Sequence, residues 1–257
     1  MKNNGQQTVI AVHAHPDDTE IFCAGTLFLL KKMNFNIVIV TMTNGELGSY
    51  ERNSSETAAL RFSEAEAAAD YIGAEYKCLN RPDGFLFDSP AIRTDLIEIL
   101  RSSCADIILT HRFDDYHPDH RATAEITEAA AILSSLPNII TESAPLPGTP
   151  LLYKTDTIQS KNRIGDKNLI PHFYINISEV MDHKIKMLSF HNSQIELMKK
   201  MHKIDDFSGE IKIRDRRHGN KAGVEFAEAF WQHCGGGFQT VPVIQEALKN
   251  YYIEVKI

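Results

Sequence analysis

Residues 9–20 read Val9-Ile10-Ala11-Val12-His13-Ala14-His15-Pro16-Asp17-Asp18-Thr19-Glu20, and this stretch decides the fold. The apolar run predicts a buried strand, and the acidic turn after it stands where nucleotide-binding folds carry glycines. A glycine-rich turn binds phosphate through backbone N–H groups, whereas carboxylates repel an anion and attract a cation. The stretch therefore predicts a metal site at the end of the first strand.

Strands alternate with helices through the first half of the chain, a pattern typical of a parallel sheet covered on both faces. The predicted strands are 9–13, 37–41, 76–79 and 107–110, and the predicted helices are 20–33, 56–72, 92–102 and 121–133. Asn53 is predicted to cap the second helix with Glu56 as its capping-box partner, and Gly73 to end it.

The pattern weakens after residue 150. Short strands are predicted at 151–153 and 173–177, a polar loop at 155–169, and helices at 179–191 and 223–231. The fold class is therefore predicted as α/β: a Rossmann-like, mostly parallel sheet with helices on both faces. We expect residues 1–257 to form a single domain with a smaller, irregular C-terminal part.

Composition and charge exclude several classes of protein. A net charge of −7 argues against a nucleic-acid partner, because neutralising phosphates needs clustered Lys and Arg. No apolar run approaches the roughly 20 residues that span a bilayer. The polar segment from Met1 to Thr8 lacks the pattern of a secretory signal. We therefore expect a cytoplasmic protein with a small-molecule partner and no membrane span, and a homo-oligomer is left open.

A second polar cluster, Tyr116-His117-Pro118-Asp119-His120, follows the fourth predicted strand. Loops gather at the carboxyl ends of parallel strands, so this cluster is expected to meet the first turn. Catalytic zinc takes three protein ligands from His, Asp, Glu or Cys. His15 and Asp18 supply two, and His117 and His120 offer the third. Helix capping alone would explain Asp17 or Asp119, but not the whole set.

Several motifs carry a family resemblance. Residues 14–20 resemble the AHPDDxE motif, and residues 117–121 the HPDHR motif, of the PIG-L/LmbE-like zinc-dependent N-acetylglucosaminide deacetylases. Further similarity lies in the T-x-G-E turn at 43–46, the R-x-x-E pair at 61–64, the H-x-S-Q stretch at 191–194 and the closing stretch 223–230. The match covers most of the chain.

The resemblance implies a role for each motif residue. His15, Asp18 and His120 would bind zinc, and Asp17 would be the general base that accepts a proton as water attacks the amide. His117, when protonated, would stabilise the oxyanion, and Asp119 would orient its ring and favour its charged form. Zinc would lower the pKa of its water to about 7.

Four more residues are candidates for binding the substrate. Arg61 resembles an arginine near the substrate end of the pocket in relatives, although an exposed ion pair with Glu64 or Glu66 would explain it equally well. Glu46, Arg52 and Tyr116 complete the set. Tyr116 lies one residue closer to the motif histidine than the corresponding tyrosine of some relatives.

The activity that the resemblance implies is hydrolysis of the N-acetyl group of an N-acetylglucosamine conjugate, giving acetate and a free amine. The closing stretch is most similar to N-acetylglucosaminyl malate deacetylases of bacillithiol biosynthesis. Zn²⁺ is the expected metal, and the same ligands accept Fe²⁺ or another divalent ion. The alternatives are a metal-dependent phosphoesterase, which would need a second metal, and a non-catalytic metal-binding protein of the same fold.

Overall fold

The structure, a computed structural model, describes residues 5–158 and 169–255. These residues form one sheet of eight strands: β1 (Thr8–His13), β2 (Asn36–Thr43), β3 (Glu75–Arg81), β4 (Ile107–Thr110), β5 (Leu151–Thr155), β6 (Phe173–Asn176), β7 (Ala227–Gln232) and β8 (Tyr252–Glu254). Their order is β3-β2-β1-β4-β5-β7-β6-β8. Strands β1 to β5 are parallel, and the pairs β5·β7, β7·β6 and β6·β8 are antiparallel. The predicted mostly parallel sheet is confirmed.

Helices cover both faces of this sheet. Within the described ranges they are α1 (Asp18–Phe22), α2 (Ala24–Lys32), α3 (Ser54–Tyr71), α4 (Pro90–Ser102), α5 (Pro118–Leu133), α6 (Met181–Leu188), α7 (Asn192–His202), α8 (Phe207–Ala222) and α9 (Val243–Ala247). None of the helices described is long and apolar enough to cross a membrane. Asn53 caps α3 in a capping box with Glu56, as predicted, and Gly73 follows at a φ of 65°.

The central strands bury both of their faces, which explains their continuous apolar sequences. In β1, Val9 and Ala11 pack into the core beneath α2 and α6, whereas Ile10 and Val12 pack into the core beneath α4 and α5. Because side chains alternate along a strand, one run of apolar residues anchors helices on both sides. This anchoring fixes the carboxyl edge of the sheet, where the acidic turn lies.

The helix predicted at 20–33 is two helices, α1 and α2, divided at Cys23. The cause is a distant carboxylate. Glu228 on β7 accepts hydrogen bonds from the backbone N–H groups of Gly25 (3.1 Å) and Thr26 (2.8 Å), so a new helix N-terminus begins there. An anion at that position is stabilised by the unpaired N–H groups of the first turn.

The prediction of a helix at 223–231 is wrong. Gly223 (φ 75°) ends α8, and the chain then enters β7, which pairs with β5 and β6 inside the sheet. The Ala- and Glu-rich sequence favours a helix, but tertiary pairing overrides that preference. Helices α7, α8 and α9 and strand β8 were not predicted, and much of the loop predicted at 155–169 lies outside the described residues.

Candidate active site

Two turns meet at the carboxyl edge of the sheet because β1 and β4 are neighbouring parallel strands. The turn after β1 holds His15 and leads into α1, whose first residue is Asp18. The turn after β4 leads into α5, with His117 as its N-cap residue and His120 in its first turn. Residues that are far apart in the sequence therefore share one small space.

Asp18 lies between the two histidines. Its Oδ2 is 3.2 Å from His15 Nδ1, and its Oδ1 is 3.3 Å from His120 Nε2. All three side chains are buried. Donor atoms of His15 and His120 also lie within 4.8 Å of each other, together with one from His117. The structure thus brings together the three residues predicted as metal ligands.

The outer nitrogen of each histidine faces another carboxylate. His15 Nε2 lies 3.1 Å from Asp83 and 3.2 Å from Asp119. His120 Nδ1 lies 3.2 Å from Asp115 Oδ2. Metal-binding histidines are typically held in this way, with one ring nitrogen free for the metal and the other fixed by an acceptor.

A third buried histidine is not available as a ligand. His111 Nε2 lies 3.3 Å from Asp18 but accepts the backbone N–H of Ala14 at 2.9 Å. A nitrogen that accepts a hydrogen bond has no lone pair left for a metal. His15, Asp18 and His120 therefore fit a divalent metal better than a set that includes His111.

The cluster is strongly polarised. Burial raises the pKa of Asp18, but the neighbouring His120 and His111 outweigh it and hold the pKa well below its usual range. Burial lowers the pKa of His120, but Asp18 and Asp115 outweigh it and raise the pKa to about 9. Without a metal, the site thus holds an anionic carboxylate between protonated imidazoles, and a divalent cation would take the place of those protons.

Asp17 precedes this cluster in a strained conformation. Its φ is 115°, a region that residues other than glycine rarely occupy, and its side chain is buried. Burial raises its pKa to about 7, although the guanidinium of Arg61 opposes the shift. Strain of this kind persists only where surrounding contacts hold it. A carboxyl group with a pKa near neutrality suits a general base.

Arg61 on α3 supplies the contacts that hold the turn. Its Nη2 donates to the Pro16 carbonyl (2.6 Å) and to Asp17 Oδ1 (3.2 Å), and its Nη1 donates to the Gly45 carbonyl (3.1 Å). The alternative of an exposed ion pair with Glu64 is wrong, because Arg61 is buried and Glu64 instead accepts from Ser193.

The predicted pairing of Asp119 with His117 is not observed. The Asp119 carboxylate accepts from Gly84 and Leu86 N–H groups and contacts His15. Only the backbone N–H of Asp119 reaches His117, donating to Nδ1 at 3.2 Å. Burial, with His15 and His120, lowers the pKa of His117 to about 4, which favours a neutral ring over the protonated form expected from the sequence.

The predicted substrate-binding residues divide into two groups. A cavity of about 780 Å³ opens beside the metal cluster, and Arg61, His117 and the half-exposed Tyr116 line it. Glu46 and Arg52 are not among its lining residues. Asn44 donates to the Glu46 carboxylate at 3.0 Å, and Arg52 lies 3.9 Å from Glu196 on the surface.

Sequence reasoning missed Asp83 and Asp115. Asp83 stands in an Arg-Pro-Asp-Gly segment that reads as an ordinary turn, and Asp115 stands two residues before His117 in another loop. Turn-forming residues are common at both kinds of position, so neither carries a distinctive signal. One clue was available for Asp115: a carboxylate close in sequence to a predicted histidine ligand is a natural partner for its outer nitrogen.

Fold and site together define an α/β protein with a histidine–carboxylate centre at the carboxyl edge of its parallel strands. Residues 10–131 match the family described as PIG-L, GlcNAc-PI de-N-acetylase. These residues are similar to the PIG-L family, and the family resemblance is confirmed for this part of the chain.

Individual relatives agree with this assignment. The diacetylchitobiose deacetylase of Thermococcus kodakarensis is 26% identical over 199 residues, which cover 74% of this chain and 71% of that protein. The probable N-acetyl-alpha-D-glucosaminyl L-malate deacetylase 2 of Bacillus cereus is 28% identical over 223 residues, covering 82% and 91%. The solved N,N'-diacetylchitobiose deacetylase of Pyrococcus horikoshii superposes with a TM-score of 0.76 at 25% identity, covering 93% of this chain and 88% of that one.

Proposed function

We propose that the protein is a zinc-dependent hydrolase that removes the N-acetyl group from an N-acetylglucosamine conjugate and releases acetate and a free amine. One observation carries the proposal: a buried carboxylate, Asp17, stands beside a set of metal-binding side chains at the wall of a large cavity. The named deacetylases among the relatives support the same reaction.

His15, Asp18 and His120 would hold the metal, which when bound supplies a water with a pKa of about 7 and polarises the amide carbonyl. Asp17 accepts a proton from the attacking water. Its Oδ1 is fixed by Arg61, which leaves Oδ2 for the proton. The same carboxyl then returns that proton to the leaving nitrogen, so that the amine departs neutral and Asp17 is ready for another turn.

His117 acts in its neutral form. Because Nδ1 accepts the Asp119 backbone N–H, the proton of the neutral ring resides on Nε2. An N–H donor that faces the cavity stabilises the negative charge that develops on the carbonyl oxygen. This role does not require the protonated imidazole expected from the sequence.

The phosphoesterase alternative would need a second metal. Among the described residues, the group of suitable donors that includes neither Asp18 nor His120 is His15, Asp83 and Asp119. Both oxygens of Asp119 accept backbone N–H groups, from Gly84 and Leu86. We therefore assign this group to support of the loop and of His15, and we expect one zinc ion per chain.

The test is amine release from a panel of methyl N-acetylglucosaminide, N,N'-diacetylchitobiose and N-acetylglucosaminyl malate. Wild-type protein loaded with zinc is compared with Asp17→Asn, and zinc content is measured by mass spectrometry. The exposed Asp205→Asn serves as the matched control. We expect Asp17→Asn to lose at least about a hundredfold in kcat with one zinc retained. No amine release by the wild type, or two zinc ions per chain, would contradict the proposal.

The conjugated group differs among the relatives, whose names include chitobiose and L-malate. The bacillithiol assignment therefore stays a prediction. So do the use of zinc rather than iron, the single domain over residues 1–257 and the cytoplasmic location.

A further inference from the structure

The cavity continues beyond the metal centre, where Gln194 and His202 on α7 line it beside apolar surfaces. They are formed by one face of α7, the connection to α8 and the first turns of α8: Leu197, Met198, Met201, Ile204, Phe207 and Ile211. We refer to these six residues as the apolar arm. Met201 is 54% exposed although it lines a cavity. Apolar area that stays open to water inside a binding site is typical of a surface that a ligand covers.

The apolar arm is continuous with the metal centre. Phe22 packs its ring against His120, with the centroids 5.9 Å apart, and belongs to the same hydrophobic cluster as Phe207 and Ile211. Ile21 and Ile158 also line the cavity, and both pack within this hydrophobic cluster. One bound molecule can therefore place its amide at the metal and another part against the arm.

Few of the described lining residues are cations that could receive an acidic conjugate. Of the three arginines among the described lining residues, Arg61 is used by the turn that holds Asp17. Arg214 is buried, donates to the Ile21 carbonyl and to Asp215, and lies over the Phe22 ring. Arg217 is exposed, and the exposed Glu210 lines the cavity on the same helix.

We propose that the substrate carries an apolar aglycone, an alkyl chain or an aryl group joined to the amino sugar, which packs against the apolar arm. This inference rests on the proposed deacetylase function and names its substrate class. Methionines suit such a ligand, because their flexible and polarisable side chains adapt to irregular apolar shapes. A dicarboxylate such as malate would bring its charges against the apolar side chains of the arm, which cannot pair with them.

The experiment compares N-acetylglucosaminides with methyl, butyl and octyl aglycones and N-acetylglucosaminyl malate, at concentrations below micelle formation. We expect kcat/KM to rise with chain length, up to roughly fourfold per methylene that leaves water, and at least about tenfold from methyl to octyl. Binding of the products, methyl and octyl 2-amino-2-deoxyglucoside, is measured by calorimetry and should show the same order. Equal values for methyl and octyl, or a preference for malate, would overturn the proposal.

Two variants locate the effect. Met201→Gln keeps the length of the side chain but makes it polar, and should reduce the advantage of octyl over methyl at least about threefold. Met33→Gln, at a similarly exposed methionine outside the cavity, should change neither. If Met201→Gln lowers kcat/KM equally for both substrates, the arm does not bind the aglycone.

A last pair of compounds separates the two ends of the substrate. N-octanoylglucosamine is compared with N-acetylglucosamine as methyl glycosides. A rise in kcat/KM with acyl length, and none with aglycone length, would place the apolar group on the acyl side and overturn the assignment. The product-binding measurement does not depend on turnover. Octyl-selective binding without amine release would therefore reject the deacetylase function while supporting an apolar arm.

Discussion

The Arg61 guanidinium lies 3.2 Å from Asp17 Oδ1 and 2.6 Å from the carbonyl of the preceding residue, Pro16. One side chain from α3 thus donates hydrogen bonds to both the backbone and the carboxylate of a strained turn. Its planar fork of donors makes this geometry available to arginine but not to lysine. We infer that Arg61 is a positioning residue for the base.

Replacing Arg61 by Lys should therefore lower kcat more than it raises KM. A displacement of the base of about 1 Å costs on the order of a hundredfold in rate, and we expect a loss of roughly 10- to 100-fold. Zinc content should not change. The control is Arg52→Lys, an exposed arginine outside the cavity. A rise in KM at constant kcat would instead assign Arg61 to substrate binding.

The same arginine leaves no room for a side chain at Gly45. A Cβ there would lie 2.5 to 2.7 Å from the Arg61 guanidinium, and its φ is +68°. Gly223 has a φ of +75° with open space around the position of a Cβ. Both Gly→Ala variants should lose about 1 kcal/mol of unfolding free energy from backbone strain, but only Gly45→Ala should lose activity. Denaturant unfolding and kcat measure the two effects, and equal activities would refute the coupling to Arg61.

Asp115 should control metal affinity through His120, whose outer nitrogen it faces at 3.2 Å. Asp115→Asn removes the charge that orients the ring and raises its basicity, and we expect zinc affinity to fall roughly 10- to 100-fold. Competition with a chromophoric chelator measures this affinity. The neighbouring Asp114→Asn, which alters a pair with Arg112, should leave it unchanged.

The pair of His191 and Glu20 predicts a dependence of stability on pH. His191 Nε2 lies 3.3 Å from Glu20 and both are buried. Burial lowers the pKa of His191, but Glu20 outweighs it and the net shift is upward from 6.5. Its stabilising effect is thus complete below pH 6.5 and is lost as the pH rises through the higher pKa of the folded protein.

His191→Gln keeps a polar group but removes this charge. At pH 6 the variant should be less stable than the wild type by roughly 1–2 kcal/mol, the scale of a lost interaction with a buried charged group. This difference in unfolding free energy should disappear toward pH 9. Urea unfolding at several pH values measures it, with the exposed His202→Gln as control. A gap that stays constant with pH would mean that His191 is not charged in the folded protein.

The first half of the fold could be predicted because its sequence signals are local. Strand β4 was predicted to the residue, and the cap of α3 at Asn53 follows a known motif. The C-terminal part of the fold could not be predicted in this way, since its structure depends on contacts between residues that are distant in the sequence. Glu228 is the clearest example. It is buried against Lys184 at 2.7 Å and caps α2, and no local sequence pattern predicts either contact.

The site divides in the same way. Residues at the ends of strands could be placed together from the sequence, because parallel topology sends both turns to one edge. Their hydrogen-bond partners could not, and this is why Asp119 was paired with His117 rather than with His15. The protonation of His117 also depends on which charges surround it after folding.

The backbone of Asp17 has a consequence for how this protein tolerates change. A φ of 115° and a buried carboxylate that becomes charged near pH 7 both oppose folding. Asparagine adopts such backbone angles more readily and carries no charge to bury. Selection for thermal stability and selection for turnover therefore act in opposite directions at this position. A library screened only for heat resistance should accumulate Asp17→Asn and yield thermally stable proteins that no longer catalyse the reaction.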